Sequence, residues 1–143
     1  MLGSTISTWT GAVSTDWADA GNWSNGVPSV TYSAYIPAGL SRYPIISASQ
    51  NVKDLSIQTG ASLVNNSILN IYGLNIADTG TTTGNGIFYF SGSSAQTVTG
   101  AFSVKKVAFN NALGVINNGT FTVTDSVYIY SGGLTGTAPI YAA

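Results

Sequence analysis

The chain repeats itself at an offset of 52 residues. Val52-Lys53-Asp54-Leu55-Ser56-Ile57 returns as Val104-Lys105-Lys106-Val107-Ala108-Phe109, and Leu63-Val64-Asn65-Asn66 returns as Val115-Ile116-Asn117-Asn118. Leu69 and Ile71 return as Phe121 and Val123. After a one-residue slip, Leu74 and Ile76 return as Val127 and Ile129. A fixed period of this size marks stacked supersecondary units that bury their apolar faces only against neighbours.

The repeated segments are short runs of alternating apolar and polar residues, split by Gly and Asn. Strands are predicted near 33–36, 52–57, 61–64, 68–72, 74–77, 86–90, 96–99, 104–109, 113–116, 120–124 and 127–130. Asn65-Asn66, Asn117-Asn118-Gly119 and Gly132-Gly133 mark corners, because Asn and Gly tolerate sharp backbone turns. Gly80 to Gly86 reads as an excursion. Few hairpin signals and a long period favour an all-β parallel β-helix, a β-solenoid, with a β-sandwich as the alternative. Two coils per repeat would give about 26 residues each, stacked about 4.8 Å apart, and three shorter coils also fit. Asn65 over Asn117, and Asn66 over Asn118, would form corner ladders.

The N-terminal segment, 1–31, differs from the rest. It holds all three tryptophans, Trp9, Trp17 and Trp23. Asp16 before Trp17-Ala18-Asp19-Ala20 and Gly21 predicts one helical turn at 17–20. The chain therefore divides into a Trp-rich cap at 1–31 and a solenoid at 32–143 carrying the repeat at 52–80 and 104–133. In this scheme the indoles cover the first coil. Leu55, Ile57, Leu63, Leu69, Ile71, Leu74, Ile76, Val98, Val107, Phe109, Val115, Phe121, Val123, Val127 and Ile129 point inward.

Only 6% of the 143 residues are charged, the net charge is −1, and there is no Glu, His or Cys. Four cations cannot neutralise a nucleic-acid backbone, so no such partner is expected. No run reaches the roughly 18 apolar residues of a membrane span, so no membrane insertion is expected. Met1-Leu2-Gly3 shows no signal-peptide pattern. Few charges and many hydroxyls point to an extracellular, cell-surface location.

Trp9-Thr10-Gly11, Asp16-Trp17, Asn22-Trp23-Ser24 and Gly26-Val27-Pro28 together resemble the N-terminal segment of large secreted, adhesin-like surface proteins of Bacteroidetes and similar bacteria. Gly86-Ile87-Phe88-Tyr89-Phe90-Ser91-Gly92, followed by Gln96-Thr97-Val98-Thr99-Gly100, is similar to a recurrent unit of their β-solenoid stretches. The resemblance implies a secreted solenoid that forms one part of a longer polypeptide. It brings no catalytic residue.

Four groups of residues are candidates for chemistry. Asp16, Asp19 and Asn22 could offer oxygens to Ca²⁺; otherwise Asp16 is a cap and no cofactor is expected. Tyr72, Tyr89, Tyr128 and Tyr130 should face outward and could stack on sugar rings. The Thr-x-Thr strands at 97–99 and 120–124 could form an ice-binding array, which Ile68 to Tyr72 would interrupt at the matching place in the first repeat. The five Asp residues, Asp16, Asp19, Asp54, Asp78 and Asp125, show no close pair, so no enzyme activity is expected. The sequence thus reads as a structural or adhesive module of a bacterial extracellular surface protein. Its expected partners are neighbouring repeats of the parent protein or another copy of itself. The second reading is a carbohydrate-binding module using the exposed tyrosines on a polysaccharide. Because Pro139 to Ala143 carries no second Trp-rich segment, end-to-end contact is expected at that end.

Overall fold

The computed structural model describes residues 5–136 and 140–142; it is a parallel β-solenoid of about five turns, and among the described residues there is no α-helix. The expectations placed on Met1 to Gly3, and on Pro139 and Ala143, lie outside the described residues. The strands are β1 (Thr5–Thr8), β2 (Tyr32–Ile36), β3 (Ile45–Ile46), β4 (Gln50–Val52), β5 (Leu55–Ile57), β6 (Ser62–Asn65), β7 (Ile68–Ile71), β8 (Asn75–Asp78), β9 (Thr81–Thr83), β10 (Ile87–Phe90), β11 (Gln96–Asn110), β12 (Val115–Asn117), β13 (Thr120–Ser131), β14 (Leu134–Gly136) and β15 (Ile140–Ala142).

The strands stack into three faces. The first runs β1, β2, β5, β8, the start of β11, β12 and β14. The second is β3, β6 and β9. The third is β4, β7, β10, the end of β11 and the end of β13. Every ladder between these strands is parallel. Inward positions follow the period of two: Leu69, Phe88 and Val107 form one column, and Val52, Ile71, Phe90 and Phe109 another. The later coils carry an aromatic core, with Phe102 against Phe88 at 5.2 Å and against Phe121 at 5.1 Å.

The coil is shorter than the two-per-repeat reading. Ile87 lies on Ile68, Ile76 on Leu55 and Thr97 on Asn75, so the advance from one coil to the next stays near twenty positions. Positions one repeat apart therefore fall on different faces: Leu55 lies on the first face and Val107 on the third. The repeat is two coils plus two of the three faces. It shows in sequence because every face uses the same apolar–polar–apolar pattern.

For the same reason Asn65 does not stack on Asn117. Asn65 closes the corner after β6, and Asn117 closes the corner after β12 on another face. Both are buried, and each accepts an N–H from two residues ahead, Ser67 for Asn65 and Gly119 for Asn117. Asp78 does the same with Gly80. Asn65 also donates to the Ile87 carbonyl of the next coil. Gln96 is buried too. It donates to the carbonyls of Ile71 and Gly73 and accepts from Gly92 and Asn111. These inward amides satisfy backbone groups that leave the ladder at each corner, where an unmade bond would cost more than the bond gains.

The excursion expected at Gly80 to Gly86 is instead the strand β9, laid on β6 with Leu63 under Thr82. It was hidden because its inward residue is Thr82, which spends its hydroxyl on Asp78 at 2.7 Å. Beyond β9 the coil shortens. Asp78 to Ile87 spans nine residues, while their partners Gly100 and Lys106 are six apart. The separate strands expected at 96–99 and 104–109 thereby merge into β11.

Twelve of the fifteen expected core residues are buried, and three are not. Leu74 is half exposed because Asp54 Oδ1 accepts the N–H groups of both Leu74 and Asn75. That corner breaks the alternation one residue before β8. Val127 and Ile129 stand in register on Val107 and Phe109 but are 39% and 66% exposed. The strand above them, β15, reaches only Phe121 to Val123.

Candidate functional site

At the N-terminal end, Trp9, Trp17 and Trp23 are buried in edge-to-face contact, with ring centroids 5.1 Å (Trp9–Trp23) and 4.8 Å (Trp17–Trp23) apart. Such pairs add to what area burial alone provides. The Trp9 indole donates to the Arg42 carbonyl and the Trp23 indole to the Trp17 carbonyl, both at 2.8 Å. Trp17 Nε1 is buried without an acceptor among the described residues. The segment docks as an incomplete coil: β1 pairs with β2, and Asp16 bridges to Ile45.

The helical turn is a single 3-10 turn at Ala20–Asn22, capped by Asp19 rather than Asp16. It falls three residues later than expected because Asp16 caps a separate turn through the Ala18 N–H. Asn22 is buried. Its amide oxygen accepts from Val13 and Ser14, and its amide nitrogen donates to Ser14 and to the Asp16 carbonyl. One carboxylate oxygen of Asp16, one of Asp19 and the amide oxygen of Asn22 thus each accept backbone N–H groups. Among the described residues no cluster of three acidic, His or Cys side chains is found.

The remaining carboxylates lie at three different corners. Asp54 caps the turn into β8. Asp78 is buried, and desolvation raises its pKa above the ordinary 3.8 against the opposing pull of the Thr82 and Gly80 bonds. Asp125 pairs with Lys106 at 3.7 Å and accepts from Ser126.

All four candidate tyrosines lie on the outer side of the third face. Tyr89 and Tyr128 flank Ala108 in one outward column. Ala108 points outward yet is almost fully covered. Tyr130 stacks on Tyr89 with centroids 5.8 Å apart and planes 17° apart. Desolvation, and then the neighbouring Tyr130 phenol, raise the Tyr89 pKa. The structure thus brings Tyr89 and Tyr130 together, with Tyr128 beside them. Tyr72 lies farther down the stack, one residue beyond β7. Sequence reasoning placed these side chains outside but missed the Tyr89–Tyr130 contact, which depends on the length of each rung and on a register irregularity after Phe109.

The outward threonines do not form the array through 97–99 and 120–124. On the second face Thr81 and Thr83 stand over Ser62 and Val64. Thr120 and Thr122 stand over Ala101 and Ser103. A groove of about 210 Å³, lined by Thr82, Thr83, Phe88, Val104 and Lys105 among others, lies where the coil shortens and interrupts any lattice.

The second candidate surface is the uncovered half of β13. Val127 and Ile129 present an apolar inner side, and Tyr128 and Tyr130 the outer side. No charged residue lies between Ser126 and Ser131. The inward direction of Val127 and Ile129 was legible in the sequence; their exposure was not.

Residues 8–95 match the family described as a domain of unknown function, DUF8693. The chain belongs to this family. The match takes in the Trp cluster and the coils as far as the residue before β11. No curated protein and no solved structure matches the chain. Among the described residues no helix is long and apolar enough to cross a membrane.

Proposed function

We propose that this domain is a structural and adhesive module of a bacterial extracellular surface protein, extended by stacking at its C-terminal end. The observation that carries the reading is the third face. Its strands keep a near-constant rung from β4 to β13, and at the last rung described the inward-facing Val127 and Ile129 are exposed. A strand edge in this state accepts another strand, from further repeats of the parent protein or from another copy. The sparse charge supports an extracellular setting, and the sealed Trp end gives the stack a direction. No step of this role is catalytic: the carboxylates are dispersed among separate corners and serve as caps. Light scattering over a concentration series tests the association, with Ile129→Lys as the variant expected to abolish it. A wild type that stays monomeric throughout would overturn the stacking reading. Antibody labelling of intact cells tests the location.

The clustering of Tyr89, Tyr128 and Tyr130 on one face favours a second reading, carbohydrate binding, in which Tyr72 would extend the surface along the stack. Aromatic faces flanked by amides and hydroxyls take up the apolar side of sugar rings. Affinity electrophoresis through soluble polysaccharides should show retardation that Tyr128→Ala and Tyr130→Ala reduce. Equal mobility in every polysaccharide gel would remove this reading.

A further inference from the structure

We infer that the groove at the step between β9 and β11 is a binding site for one acidic sugar residue, a pyranose ring carrying a carboxylate. The site is separate from the stacking and from the tyrosine surface. It lies within the stack rather than at an end. The second face runs β3, β6, β9 and ends there among the described strands, because β11 passes from the first face to the third as one strand. β13 follows β11 along the same shorter path, with Phe121 on Phe102 and Val123 on Val104. β9 therefore pairs with β6 alone among the described strands. In that parallel ladder the Thr81 N–H goes to the Ala61 carbonyl, so the N–H and C=O of Thr82 point the other way, into the step.

Three kinds of group line the groove, and together they fit one ligand class. Phe88 and Val104, both buried, give it an apolar floor, which suits the C–H face of a sugar ring. Thr83, Ser103 and Thr124 are exposed, and their hydroxyls have no hydrogen-bond partner among the described residues, so they are open to ring hydroxyls. Lys105 supplies the charge. Its ammonium donates to the neutral Asn85 amide oxygen, and among the described residues no carboxylate lies within ion-pairing distance of it. Two carboxylates adjoin residues of the groove, and both are engaged: Asp125 with Lys106, and Asp78 with Thr82 and Gly80. A local irregularity aims the charged end. Between the pairs Val104–Val123 and Lys106–Ser126, β13 sets Thr124 and Asp125 against Lys105 alone, and such a bulge redirects the side chains beside it. The volume of about 210 Å³ is below the roughly 300 Å³ at which pockets for drug-sized ligands begin, so the groove takes one ring rather than a chain segment.

An NMR titration of the isotope-labelled chain with glucuronate tests the site, with glucose as the neutral ring and acetate as the charge alone. Glucuronate should shift the amide resonances of Thr83, Ser103, Lys105 and Thr124 in a saturable way, and should bind more tightly than either control. Lys105→Gln should weaken glucuronate by about fivefold, the upper end for a charge pair at the surface, and leave the glucose response and the melting temperature unchanged. Ser103→Tyr, which fills the groove from an exposed position, should remove the glucuronate shifts at Thr83 and Thr124. Glucose binding as tightly as glucuronate would overturn the acidic class. Acetate binding as tightly as glucuronate would overturn the sugar assignment. Shifts confined to Tyr89, Tyr128 and Tyr130 would overturn the groove and favour the tyrosine surface. No saturable shift with glucuronate would overturn the site altogether. None of these outcomes touches the light-scattering test of stacking.

Discussion

At the N-terminal end, three indoles fill the mouth of the core, each almost wholly buried. At the C-terminal end, Val127 and Ile129 continue the same inward columns, yet Ile129 is 66% exposed. The two ends share one core chemistry and differ in what lies over it. An inward direction is therefore a local property of a strand, whereas burial belongs to the next rung. A solenoid residue contributes its hydrophobic free energy only once that rung is in place.

The largest expected effect comes from removing the seal. Deleting residues 1–28 exposes the first coil and the edges of β2 and should give insoluble or oligomeric protein. If the deleted form stays monomeric with an unchanged melting temperature, the cap serves some purpose other than closure. Next in size, Phe121→Ala in the fully covered part of β13 should cost roughly 3–5 kcal/mol in denaturant unfolding. Ile129→Ala, eight residues along the same strand, should cost under about 1 kcal/mol, because that side chain buries little in the free chain. Equal losses would erase the contrast between covered and uncovered rungs.

A smaller effect separates the corners from the ends. Asp78 performs the turn that Asn65 and Asn117 perform elsewhere, but with an ionisable group whose pKa burial raises in the folded state. Above that raised pKa the buried carboxylate costs stability. As pH falls through it the folded protein takes up the proton first, and the penalty disappears by the time the unfolded chain is also protonated. Asp78→Asn keeps the bond from Gly80 and can donate to Thr82. It should raise the melting temperature at neutral pH, by a margin that shrinks as the solution is acidified. A margin independent of pH would mean that the carboxylate is not the cause. The smallest effect is expected within the seal itself. Trp17→Phe removes a buried N–H that has no acceptor among the described residues, so part of the lost packing is offset. Trp23→Phe breaks the bond to the Trp17 carbonyl and should be the more damaging. The reverse order in thermal melts would show that Trp17 Nε1 is satisfied in solution.

Much of this architecture was legible in the residues. Alternation around Leu69, Ile71, Val107, Phe109 and Phe121 identified the inner columns, and the three tryptophans marked the closed end. The breaks at Asn65 and Asn117 were found as corners, because Asn turns a chain locally whatever surrounds it. Four tyrosines were placed outside by parity alone. The sequence could not assign residues to faces. All faces use the same short pattern, so a shift by a whole face leaves the apolar columns intact, and the long repeat was read as whole coils. β9 escaped notice for a related reason, since its inward Thr82 answers a buried Asp78 from the preceding strand rather than an apolar neighbour.

What the sequence alone determined is thus the local direction of each side chain and the existence of a solenoid with one sealed end. Those follow from backbone periodicity and from residue types whose preferences act over two or three positions. What only the tertiary structure decided is the length of the rung, the meeting of Tyr89 with Tyr130, and the exposure of Val127 and Ile129. Each depends on which strands lie one coil apart, and that is set by hydrogen-bond register between segments far separated along the chain.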